Sequence, residues 1–112
     1  MSTAAAEYAN QALTRAEVDH AKGMTVLEFG ATWCPICQGA QSLIQPALKD
    51  RKVDHIRVED GPGRPLGRSF RIKLWPTLVF VRDGQEVARV VRPDSASDLQ
   101  PALERVSEFG RS

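Results

Sequence analysis

Cys34 and Cys37 are the only cysteines in the 112 residues, and they lie in the run Phe29-Gly30-Ala31-Thr32-Trp33-Cys34-Pro35-Ile36-Cys37. At that spacing the second thiol falls about one helical turn from the first, close enough to form a disulfide with it. The run lies where an apolar stretch gives way to a helical pattern. Val26, Leu27 and Phe29 read as buried strand; Ile36, Ala40, Leu43, Ile44, Ala47 and Leu48 recur at helical spacing, leaving Gln38, Gln41, Gln45 and Lys49 on the other face. Pro35 suits the first position of a helix, where its missing N–H has no partner to lose. Cys34 then becomes the capping residue, and its sulfur stands where a capping oxygen usually accepts amide protons. Those amides and the positive end of the helix favour a thiolate. An exposed, stabilised thiolate beside a second thiol is the minimum equipment for thiol–disulfide exchange.

Two other uses of the pair are open. A structural bridge closing so short a loop adds little entropic stabilisation. Zinc normally needs four ligands, and only His20 and His55 remain to help, at no recognised spacing. An apolar content of 42% and a formal net charge of +1 describe an ordinary globular chain with no large electrostatic partner, so no nucleic acid is implied. No apolar segment approaches the roughly 20 residues of a membrane span. Residues 1–15 lack the basic start and apolar core of a secretory signal, so the expected location is the cytoplasm, where a lone C-x-x-C points to catalysis or metal binding.

The elements that must position the cysteines follow in order. Residues 4–22 favour helix, with Tyr8, Ala9, Ala12, Leu13 and Ala16 as a thin apolar stripe ended by Gly23. A strand from Met24 to Phe29, a helix from Pro35 to about Asp50 and a strand from Val53 to Val58 make a β-α-β unit with parallel strands. Pro46 predicts a bend or an early end of that helix. Asp54, His55 and Arg57 suit the second strand to a sheet edge, with His55 an ordinary strand residue. A loop at 60–65 precedes a short helix from Leu66 to Arg71, and the cations Arg64, Arg68, Arg71 and Lys73 read as a solvated face. Thr77 to Arg82 and Glu86 to Val91 form a hairpin about Asp83-Gly84. The last helix has competing starts, one capped at Ser95 and one near Asp98, with Leu99, Ala102, Leu103 and Val106 facing the core. The whole reads as one domain over 1–112, with an N-terminal helical extension (1–22) and a core (24–109).

With Phe29-x-Ala31-x-Trp33-Cys34-x-x-Cys37 and, 42 positions after the first cysteine, a Trp75-Pro76-Thr77 opening an apolar strand, the sequence resembles the thioredoxin superfamily. The resemblance implies an α/β thioredoxin-like fold, a four-stranded mixed sheet with helices on both faces. It implies that Cys34 attacks and Cys37 resolves, with no cofactor beyond that redox pair and no metal. The partners it implies are protein disulfides and an external thiol reductant, met by a monomer. It also implies a cis Trp75–Pro76 bond that leaves the Trp75 backbone free to pair with an extended substrate. Trp33, Pro35, Ile36, Trp75 and Pro76 are accordingly the expected substrate contacts.

The chain departs from the family pattern at several points. The intervening dipeptide is Pro35-Ile36, Glu28 stands where thioredoxin buries an aspartate beneath the second cysteine, and Arg92 stands where thioredoxin has a groove-lining glycine. In a strand covered on both faces an unpaired carboxylate is costly, which makes Glu28 a candidate proton acceptor for Cys37; the bland alternative is a carboxylate paired with a neighbouring Lys or reaching water. A redox-switched peptide-binding module and a metal or iron–sulfur protein using the C-x-x-C pair are the rival functions.

Overall fold

A computed structural model describes residues 13–110 apart from positions 50 and 52. Its elements are α1 (Arg15–Asp19), β1 (Met24–Gly30), α2 (Pro35–Lys49), β2 (Asp54–Glu59), α3 (Pro65–Ser69), β3 (Thr77–Arg82), β4 (Gln85–Val91) and α4 (Ala96–Gly110). The strands form one sheet in the order β2-β1-β3-β4, with β2 parallel to β1 and the other neighbours antiparallel. This is the mixed four-stranded sheet that the family resemblance implies, with the charged β2 at one edge.

Alternation along β1 and β3 splits the core into two layers. Val26, Leu78 and Phe80 pack with Ala40, Ile44 and Leu48 of α2 and with Leu99, Ala102, Leu103 and Val106 of α4. On the opposite face Leu27, Phe29, Val79 and Val81 meet Val18 of α1, Val58 of β2, and Leu66 and Phe70 of the α3 segment. Each such large side chain, fully buried, contributes about 1.5–3 kcal/mol. The two layers hold β1 rigidly, and β1 delivers the chain directly to the cysteines.

Two local expectations change, and of the two starts offered for the last helix the one capped at Ser95 is taken. The helix predicted over 4–22 cannot run unbroken, because Thr14 is extended and caps a new helix at Arg15: its hydroxyl accepts from the Glu17 amide while Glu17 accepts from the Thr14 amide. That reciprocal box, Thr14-x-x-Glu17, was readable in the sequence and outweighs composition. Of the expected stripe, Ala16 is exposed and Leu13 half-buried; Tyr8, Ala9 and Ala12 lie outside the described residues. The second helix is not cut short at Pro46 but continues to Lys49. The last helix starts at Ala96, with the Asp98 carboxylate accepting from the amides of Asp94 and Ser95, so Pro101 lies within it and not in its first turn.

Candidate active site

Cys34 precedes α2 as its cap. Its carbonyl accepts the first helical bond, from the Gln38 amide at 3.0 Å, and its Sγ accepts from the Cys37 amide at 3.3 Å. The pair is in its dithiol form. Sulfur thus replaces the capping oxygen, as the spacing predicts, and an amide already points at the atom on which negative charge would sit. The exposure differs from expectation. Cys34 is only 6% exposed and Cys37 is 0% exposed, because both pack against Ala31 and Trp75. What access there is belongs to Cys34.

The solvent side of the pair is apolar and built from both ends of the fold. Trp33 is 72% and Ile36 47% exposed, and Pro35 is also exposed. Trp75 meets Trp33 edge-on, with ring centroids 5.6 Å apart, and its indole N–H donates to Asp60 at 2.9 Å. Pro76 is buried, and the Trp75–Pro76 peptide is cis. The five expected substrate contacts therefore divide into four that border the opening and one, Pro76, beneath it. The Trp75 carbonyl already has a partner, where the resemblance implied a free backbone. Arg92 Nε donates to the Trp75 carbonyl at 2.8 Å, and the Arg92 amide donates to the Pro76 carbonyl at 2.8 Å. The reason is the residue at that position, since a glycine has no side chain to reach across.

Behind the cysteines lies a polar cluster. Glu28 is 0% exposed and has a partner on each oxygen: Gln41 Nε2 donates to Oε2 at 2.6 Å, while His55 Nε2 lies 2.7 Å and Arg57 Nε 3.6 Å from Oε1. Gln41 Nε2 also donates to the Cys37 carbonyl at 2.9 Å, which ties the cluster to the turn carrying the second thiol. Strand register explains the meeting. In the β1–β2 pairing His55 lies beside Val26 and Arg57 beside Glu28, so both side chains point to the α2 face with the carboxylate. A buried carboxylate is costly unless paired and hydrogen-bonded, and this one is both. His55 and Arg57 reach an open groove between α2 and β2, shared with Gln38, Gln45, Lys49 and Arg51.

His55 is thus no ordinary strand residue, and Gln41, placed by its helical pattern on the solvent side, is buried. A polar residue facing a buried carboxylate is indistinguishable from one facing water until the strand beneath the helix is known. The available signal was the i, i+2 spacing of His55 and Arg57, which puts two bases on one face of a strand adjoining Glu28. Among the described residues no cluster of three or more His, Cys, Asp or Glu side chains is arranged to hold a metal ion, and no helix is long and apolar enough to cross a membrane.

A capped, amide-supported sulfur with a second thiol one turn on and a buried carboxylate behind is an arrangement able to exchange thiols with a disulfide. Comparison with known proteins agrees with that chemistry. The chain is 33% identical over 75 residues to thioredoxin H-type 1 of Nicotiana tabacum, covering 62% of this chain and 56% of the relative. It is 33% identical over 78 residues to the TPR repeat-containing thioredoxin TDX of Arabidopsis thaliana, covering 69% of this chain and 20% of the relative, so it matches only part of the length of these relatives. The fold superimposes with a TM-score of 0.82 on reduced thioredoxin 2 of Pseudomonas aeruginosa PAO1, at 54% identity and covering 94% of this chain and 98% of that one. The thioredoxin family model matches residues 5–105, and the chain belongs to the thioredoxin family.

Proposed function

We propose that this protein is a thiol–disulfide oxidoreductase acting on protein disulfides through Cys34 and Cys37. The observation that carries the reading is the Cys37 amide donating to Cys34 Sγ at 3.3 Å, at the start of a helix and beside the only opening to either thiol among the described residues. Cys34, as thiolate, attacks one sulfur of a substrate disulfide; the new S–S bond forms, the old one breaks, and the departing sulfur leaves as a thiolate. Cys37 then gives its proton to the Glu28 carboxylate and attacks Cys34, closing the Cys34–Cys37 disulfide and expelling the second substrate thiolate. Both electrons come from the protein's own sulfurs, so no cofactor takes part, and an external thiol reductant restores the dithiol.

In this scheme Gln41, His55 and Arg57 are positioning residues. They orient the Glu28 carboxylate, and Gln41 links it to the Cys37 turn. The test is trapping. Cys37→Ser is expected to accumulate a mixed disulfide through Cys34, and Cys34→Ser to accumulate none, because Cys37 is wholly buried. Equal trapping by both variants would reverse or abolish the assignment.

A further inference from the structure

Arg92 is the one charged side chain seen to bond to the backbone of the opening. It follows β4 with φ at 49°, in the left-handed region that favours glycine, and its amide is fixed on the Pro76 carbonyl at 2.8 Å. From that anchored backbone its Nε reaches the Trp75 carbonyl, also at 2.8 Å. The guanidinium has five N–H donors, of which this bond uses one, and Arg92 pairs with no carboxylate among the described residues. The remaining fork is a cation at the margin of an apolar platform formed by Trp33, Ile36 and Trp75.

A peptide whose disulfide reaches Cys34 must lie over that platform, and its amide N–H groups, withdrawn from water, need acceptors. The Trp75 ring packs against the cysteines, and Arg92 fills one of the two acceptor sites of the Trp75 carbonyl. The second can accept a substrate N–H while the fork stays in place. A substrate carrying a carboxylate beside its cysteine meets the terminal nitrogens of that fork in a bidentate, charge-assisted pair, and a neutral or basic one gains nothing.

We propose that Arg92 is a specificity-determining residue: a strap over the Trp75 carbonyl that selects disulfides flanked by acidic side chains. This rests on the exchange reading above. A fork held at its own Nε by the site backbone presents its terminal nitrogens in a fixed direction, which is where selectivity comes from. Lysine could supply the charge but neither the planar fork nor the bond to Trp75 in the same geometry.

The experiment uses three synthetic peptides, each with one disulfide and differing only in whether Glu, Gln or Lys flanks the cysteine, against the wild-type protein, Arg92→Gln and Arg92→Gly. Wild type should prefer the Glu peptide over the Gln peptide by about three- to fivefold in kcat/KM, the scale of a partly exposed ion pair, and raised salt should erase the preference. R92Q, which keeps an N–H donor for Trp75 but no charge, should lose the preference. R92G, relaxed at a positive φ, should lose it too. A preference retained in both variants, or absent from wild type while all peptides react, overturns the role of Arg92 and leaves the exchange reading intact. Failure of wild type to exchange with any of the three overturns both.

Discussion

The two sides of the cysteine pair are built on opposite principles. In front, Trp33, Ile36 and Arg92 are exposed and come from loops or the first turn of a helix; Trp33 meets the Trp75 ring edge-on, and Arg92 reaches the Trp75 carbonyl by one hydrogen bond. Behind, Glu28, Gln41, His55 and Arg57 come from β1, α2 and β2, and the fully buried carboxylate is held by short bonds from Gln41 and His55 with Arg57 at 3.6 Å. The front can be altered at small cost to folding, since surface substitutions away from special features usually stay within about 0.5 kcal/mol. The rear cannot, because removing any partner leaves a buried charge or donor unsatisfied. Attack and resolution divide along the same line: Cys34 meets the front, and Cys37 rests on the rear.

Glu28→Gln gives the largest separation. It should leave formation of the mixed disulfide near the wild-type rate and slow its resolution by about 10²-fold, the lower end of what a positioned proton acceptor contributes. The neutral amide also weakens the bonds from His55 and Arg57, so stability should fall by about 1–3 kcal/mol and not rise, as it would for an unpaired buried carboxylate. Single-turnover decay of a mixed disulfide, measured beside a urea melt, reads both. A normal decay rate with the same loss of stability would reduce Glu28 to a structural anchor and leave the cysteines as the only catalytic groups.

A smaller effect is expected from His55. His55→Ala removes the 2.7 Å contact to Glu28 Oε1 and should cost about 1–2 kcal/mol, whereas His55→Gln keeps an N–H donor and should recover most of it. Equal melts for the two variants would mean that the 2.7 Å contact does not hold the cluster together. Trp33→Ala is the matching test in front. With Trp33 72% exposed, the melt should stay within about 0.5 kcal/mol of wild type while attack on a protein disulfide slows. A large loss of stability there would erase the contrast between the two sides.

The front was largely legible in the sequence, and the rear was not. Cys34, Pro35 and Cys37 are near neighbours, and capping physics acts over such distances, so a local pattern carried the local geometry. The β2 edge and the β3–β4 hairpin were readable for a similar reason, since edge charges and an Asp-Gly turn between apolar runs are local marks, whereas the four-stranded sheet itself came with the family resemblance. Gln41 and His55 escaped because their partner lies 13 and 27 residues away, across the β1–α2 and β1–β2 interfaces. Neither residue type announces whether it faces water or a carboxylate. Arg92 was noticed as a departure from glycine, but its bond to Trp75 depends on the β4 end passing beside residues 75–76, which no spacing encodes.

Gly67 gives the smallest expected effect. In α3 it packs against the Asp60 carboxyl group so closely that an added Cβ would overlap Asp60 Oδ1. That carboxylate accepts from the Trp75 indole at 2.9 Å, so Gly67 fixes a front residue from within the fold. For Gly67→Ala two opposing terms are of similar size. Alanine gains up to about 1 kcal/mol over glycine inside a helix, while displacing the Asp60 side chain forfeits a hydrogen bond of about 0.5–1.5 kcal/mol. The melt should therefore move little. The Trp75 ring, released from Asp60, should lose its fixed angle to Trp33, and exchange with a protein disulfide should slow by about twofold, the scale of a single weakened aromatic contact. Trp33 and Trp75 are the only tryptophans in the chain, so a Trp33→Phe background isolates the indole N–H resonance of Trp75. That resonance should shift on G67A with the melt unchanged. An unmoved resonance would mean that Asp60 finds room without releasing the ring, and Gly67 would then have no part in orienting Trp75.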